Sequence, residues 1–146
     1  MKKLGLMLLL LGNTAAADWT RVGGNEELDA YVDLATIHRQ ENLVDVRALF
    51  DYKSAHQWSD YLLYWSTRTQ KQFDCDDPLV RTRESAFHFD HMGVGQSIYT
   101  VPGGATWRPV APDSIDAVLR QFACKQEASR ANGGHNSASG SSSEAR

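Results

Sequence analysis

Two cysteines, Cys75 and Cys124, constrain this chain more than any other feature, because each closes a segment of different periodicity. Cys75 ends a long alternation in which Tyr61, Leu63, Trp65, Thr67, Thr69, Lys71 and Phe73 share its parity, set against Ser66, Arg68, Gln70, Gln72 and Asp74. A period of two marks a strand with one face toward a core, which predicts that Cys75 lies on the same face as Trp65 and Phe73. Cys124 follows Ile115, Val118, Leu119 and Phe122, spaced i, i+3, i+4 and i+7, one stripe of a helix. A Cys75–Cys124 bridge then clamps the end of the longest strand to the end of a C-terminal helix. Closing a loop of about 50 residues contributes roughly 4 kcal/mol in the chain-entropy account. The spacing rules out a Cys-x-x-Cys redox pair, and no histidines are spaced to complete a metal site with two such distant thiols.

An oxidised pair requires an oxidising compartment, and the N-terminus supplies the route. Met1-Lys2-Lys3, the apolar run Leu4–Leu11 and the small-residue exit Ala15-x-Ala17 are the three parts of a secretory signal peptide over residues 1–17. Cleavage is expected after Ala17. The run is too short to span a bilayer as a helix, and the exit has no cysteine to accept a lipid, so a soluble periplasmic or secreted bacterial protein is expected, without membrane insertion. Loss of Lys2 and Lys3 leaves 13 basic against 18 acidic residues. An acidic chain without a basic stripe is not built for nucleic acid.

Other alternations read as further strands. Val44, Val46, Ala48, Phe50 and Tyr52 alternate with Asp45, Arg47 and Asp51. Trp19–Val22, Ala30–Leu34 with Thr36–Arg39, and Gln96–Val101 are shorter candidates, and turns fall at Gly23-Gly24-Asn25, Gln40-Glu41-Asn42 and Pro102-Gly103-Gly104. Along Leu79–Asp90, Arg81 and Arg83 share parity with Phe87 and Phe89, which predicts a bulge or a switch of facing. Lys53–Asp60 reads as a polar connection. Pro112-Asp113-Ser114 opens the helix, with Asp113 or Ser114 as its N-cap. Past Cys124, residues 125–146 read as a disordered Gly/Ser-rich tail. The fold expected for residues 18–124 is α+β, an antiparallel sheet of about six strands with one C-terminal helix.

Residues with chemical potential are sparse. His88 and His91 flank Phe89-Asp90, but on a strand they point to opposite faces, so neither a metal nor a catalytic site is expected there. Asp74, Asp76 and Asp77 lack the spacing of a calcium loop. Gly93-Val94-Gly95 and Gly103-Gly104 do not open a helix after a strand, as a phosphate or dinucleotide site requires. No Gly-x-Ser-x-Gly is present. Catalytic residues and cofactors are therefore not expected. Aromatic anchors are the better lead: Trp58 and Tyr64 are the candidate binding residues, against the reading that Trp58 packs under its own loop and Tyr64 pairs across the sheet.

In its motifs the chain resembles the surface-adhesin E-like family of bacterial envelope proteins. Tyr31-Val32-Asp33, Thr36-Ile37-His38-Arg39, Val46–Tyr52, Asp74-Cys75, Met92-Gly93-Val94-Gly95, Trp107-Arg108-Pro109-Val110 and Pro112-Asp113-Ser114 through Cys124 carry the likeness. The resemblance implies a compact antiparallel sheet closed by a C-terminal helix. It also implies a non-enzymatic, adhesin-like interaction module whose partners are extracellular or envelope proteins. A periplasmic small-ligand carrier or enzyme is the alternative. Self-association into a homodimer through an open sheet edge is a further expectation.

Overall fold

The computed structural model describes residues 17–135. The expected signal peptide, apart from Ala17, and residues 136–146 of the expected tail lie outside the described residues.

Alternation becomes strand throughout: β1 (Trp19–Gly24), β2 (Leu28–Gln40), β3 (Leu43–Ser59), β4 (Leu62–Asp74), β5 (Leu79–His88), β6 (Ser97–Pro102) and the short β7 (Arg108–Pro109). The first six lie side by side in chain order, each antiparallel to the last, and β7 pairs with β5 beyond the end of β6. Short connections make this meander the cheapest topology, since each strand pairs with the one just before it. The β1–β2 turn is tied by the Asn25 side-chain oxygen, which accepts from the Glu27 and Leu28 amides at 2.9 Å each.

One face carries the core. Val32, Val44, Val46, Ala48, Phe73 and Val80 are buried there against Leu119 and Ala123 of the helix α1 (Ile115–His135). Partial burial of Ile115 and Phe122 against this cluster matches the stripe read from the sequence. Ser114 is the cap: its hydroxyl accepts from the Ala117 amide at 3.2 Å. The bridge expected from the cysteine pair is present, Cys75 to Cys124 with Cα atoms 5.8 Å apart. Two polar ties act beside it. Arg120 donates from Nε to the Asp74 carbonyl (2.7 Å) and from Nη2 to the Cys75 carbonyl (3.0 Å). Lys71, only 7% exposed on the core face of β4, places Nζ 2.9 Å from Asp116 in the first turn of α1.

Several details differ from the sequence reading. α1 does not stop at Cys124 but continues to His135, through Lys125-Gln126-Glu127-Ala128, residues of high helix propensity. The expected connection Lys53–Asp60 is mostly strand: β3 runs to Ser59, with a break in register between Asp51 and His56. That stretch extends past the core, so neither of its faces is fully buried and alternation fades from the sequence. Trp65 is not part of the core cluster; its ring lies 4.6 Å from that of His91. The bulge expected in the fifth strand is present, with Arg83 as the extra residue between Thr82, opposite Lys71, and Glu84, opposite Gln70.

Removing the partly exposed Asp116 carboxylate leaves the buried Lys71 ammonium without its counter-charge, whereas an apolar residue in place of Lys71 leaves no buried charge. Asp116→Asn is therefore expected to lower stability by about 1–3 kcal/mol, and Lys71→Met by less, in urea denaturation. Loss of the bridge through Cys75→Ser is expected to lower stability by roughly 2–4 kcal/mol. A reductant should then lower the thermal midpoint of the wild-type protein but not of the variant.

Candidate functional site

Directly paired residues of an antiparallel sheet share a face, so the register fixes which side chains meet. Phe50, Thr67, Phe87 and Tyr99 form one cross-strand row over β3, β4, β5 and β6. Thr67 shares the face of Lys71 and Phe73 on β4, which is the helix face. The backbone of the helix lies closest to β1, β2 and β3, with side-chain ties to the end of β4, so the β5–β6 end of this row continues past its cover.

Aromatic rings gather on that uncovered end. Trp58, near the end of β3, places its ring 4.6 Å from Phe87 and 5.2 Å from Tyr99. Tyr64 meets Phe87 edge-on at 5.0 Å and Tyr52 at 5.6 Å, and His56 lies against both tyrosines, 4.1 Å from Tyr52 and 5.5 Å from Tyr64. These separations fall in the range where offset and edge-to-face ring pairs are favourable. Trp58 does not pack beneath a loop of its own. It is joined to Tyr64 through Phe87, so the two aromatics singled out from the sequence belong to one strip. The strip stays accessible, with Trp58 41% and Tyr99 52% exposed, and Leu63 and Tyr61 add exposed apolar surface at the adjoining β3–β4 turn. Burial raises the tyrosine hydroxyls of Tyr52 and Tyr64 above their ordinary range, so both are neutral at physiological pH. The base of the strip is tied down: His56 approaches Glu27 at 3.4 Å, and Lys53 donates to the Asn25 carbonyl at 2.7 Å.

Phe87, Tyr99, Tyr52 and His56 escaped the sequence reading. Each stands in a segment that reads as strand, and only the register shows that they meet.

The His88-Phe89-Asp90-His91 segment scatters. His88 follows Phe87 and so faces the other side of the sheet, opposite Ser66. His91 opens a 3₁₀ turn, His91–Gly93, and its Nδ1 lies 3.1 Å from both carboxylate oxygens of Asp51. Asp51 also accepts from the Met92 amide at 2.8 Å. The buried Ser66 hydroxyl donates to the Asp90 carbonyl at 2.6 Å and accepts from the Gly93 amide at 2.8 Å. Gly93 has a φ of 61°, and a Cβ there would fall 2.4 Å from Arg68 Nε, so the turn requires glycine for its conformation and for space. Among the described residues, no three of His, Cys, Asp and Glu converge as metal ligands. None of the described helices is long and apolar enough to cross a membrane.

The sequence matches the family model of surface-adhesin protein E over residues 19–125. This chain belongs to the surface-adhesin protein E family. Its fold is similar to the crystal structure of protein E from non-typeable Haemophilus influenzae, with a TM-score of 0.56 at 14% identity, covering 80% of this chain and 82% of that one. A second crystal form of Haemophilus influenzae protein E gives a TM-score of 0.58 at 15% identity, covering 76% and 93% of the two chains. No curated protein matches the chain. At such identities the likeness establishes a common fold, and the matched range includes every strand and both cysteines.

His88 provides a pH-dependent test of the site's surroundings. Burial, followed by the positive charge of Arg68, pushes its imidazole below the ordinary value of 6.5. The folded protein thus binds fewer protons at this site than the unfolded chain. The stability it contributes is complete above pH 6.5 and is lost as pH falls through the lower folded value. The thermal midpoint is expected to fall between pH 7 and pH 5, and His88→Gln should flatten that fall.

Proposed function

We propose that this protein is an exported, non-enzymatic adhesin-like module of the bacterial envelope, which binds an extracellular or envelope protein through the strip Trp58–Tyr64–Phe87–Tyr99. Family membership supports the adhesin-like role and an envelope or exported location. The N-terminal lysines, apolar run and Ala15-x-Ala17 exit support export, with cleavage after Ala17. The observation that carries the choice of surface is the exposure of large rings on a preorganised frame. Trp58 and Tyr99 sit half-open beside the exposed Tyr61 and Leu63. Rings held by neighbouring rings lose little entropy on binding, and aromatic residues dominate interface energetics.

The strip borders the open edge at β6, which among the described residues pairs only with β5. That edge favours a second reading, in which two copies pair edge to edge into a homodimer. Sedimentation equilibrium distinguishes the two, since a monomer at micromolar concentration removes the second. A carrier or enzyme remains the rival class. That class calls for His88 and Asp90 converging in a cleft, and Asp90 is not among the residues that line the polar depression at His88.

The binding reading is tested with mature protein against immobilised, purified extracellular-matrix proteins. Trp58→Ala and Tyr99→Ala are expected to weaken binding at least tenfold, equivalent to about 1.4 kcal/mol or more, with little change in thermal midpoint. Tyr31→Phe, away from the strip, should bind as the wild type does. Equal binding by all variants would sink the assignment of this surface.

A further inference from the structure

The face of the sheet turned away from the helix carries a feature that adhesion through the aromatic strip does not use. Arg47, Arg68, Gln70, Glu84, Ala86 and His88 line an open depression of about 350 Å³. The register explains their meeting: Arg47, Gln70 and Glu84 form one cross-strand row, and Arg68 with Ala86 forms the next, beside Ser66 with His88. We infer that this depression is a binding site for a single carboxylate group, held by the Arg47 and Arg68 guanidiniums beside His88.

Two guanidiniums of this depression have donors to spare among the described residues. His88 beside them is 3% exposed, with its ring engaged toward the backbone of Val94, Gly95 and Gln96. Arg68 donates from Nη2 to the Gly93 carbonyl, but its Nε is buried without an acceptor. The Arg47 side chain makes no hydrogen bond or ion pair; only its backbone amide is engaged, by the Thr36 hydroxyl at 3.0 Å. Buried polar groups are nearly always satisfied, and a donor without an acceptor is costly. Two guanidiniums with open donors around one concavity therefore describe the chemistry of what fills it: an anionic acceptor with two oxygens. A carboxylate fits the planar guanidinium fork.

Charge narrows the class. Two guanidiniums against one carboxylate, Glu84, leave a net charge of about +1 with His88 neutral. That balance suits a monoanion. A phosphate dianion would face Glu84 with excess negative charge. Arg68 is also fixed from outside the depression, its guanidinium 5.9 Å from the Trp19 ring centre, so it is held in place before any ligand arrives. The carboxylate can belong to a free small acid or to a peptide C-terminus, and the chemistry at the guanidiniums is the same.

The test uses the full mature chain with isotope-labelled histidine rings, titrated with sodium acetate at an ionic strength held constant with sodium chloride. A saturable shift of the His88 ring, absent for His38, His56 and His91, is expected at millimolar acetate. Arg47→Gln, which removes a guanidinium with no partner within the fold, is expected to weaken that response at least tenfold without moving the thermal midpoint. A linear response indistinguishable from chloride, or an Arg47→Gln variant that titrates like the wild type, would overturn the assignment. Tighter binding of inorganic phosphate than of acetate would overturn the monoanion class. A short peptide that outcompetes acetate, and loses that advantage when its C-terminus is amidated, identifies a chain end as the source. Equal behaviour of the two peptides, with acetate still saturating, identifies a small acid. Either result upholds the carboxylate site.

Discussion

The attachment of α1 to the end of β4 is the constraint on which the rest of the molecule depends. A six-stranded meander by itself leaves one apolar face in water, and here that face is covered by a single helix. Three ties of different chemistry converge at that junction: the Cys75–Cys124 bridge, the Arg120 guanidinium on the Asp74 and Cys75 carbonyls, and the pair of buried Lys71 with partly exposed Asp116. The bridge fixes how far apart the elements lie. The charge pair fixes the helix rotation, since another rotation would bury an unpaired ammonium. Together they seat Leu119 and Ala123 over Val32, Val44 and Phe73.

Much of this was legible in the sequence because burial writes periodicity. Val44–Tyr52 and Phe73-Cys75 alternate because one side of each strand faces the helix, and the stripe Ile115–Phe122 repeats because it faces back. Even the bulge at Arg83 left a trace, as a parity conflict within β5. Legibility ends where burial ends. The outer half of β3 has no fully covered face, so Lys53–Asp60 read as a polar connection. The helix beyond Cys124 has no apolar stripe, so its helical propensity was masked by the Gly/Ser composition that follows.

The candidate surfaces show the same limit more sharply. Trp58 and Tyr64 stood out by residue type alone, but their partners Phe87 and Tyr99 come from strands whose register no single-sequence pattern specifies. The arginines of the opposite face were more hidden still. Arg47 and Arg68 each look like the polar half of an ordinary alternation, and only the pairing of β3 with β4 and β4 with β5 sets them around His88. The sheet thus has two contrasting faces: one gives its apolar side to the helix and then to exposed rings, and the other is polar and indented.

The position of the helix in the chain has a kinetic consequence. Every strand precedes α1, so a chain emerging from its N-terminus can form the local hairpins of the meander before the segment that covers them exists. Each hairpin closes a short loop and is entropically cheap. During that interval the future core face, centred on Val32, Val44, Val46 and Phe73, is open to other chains, and such intermediates aggregate readily. Cys75 waits at the edge of the same face. The half-finished domain is therefore both adhesive and chemically reactive at one spot, and arrival of the last element removes both hazards in a single docking event.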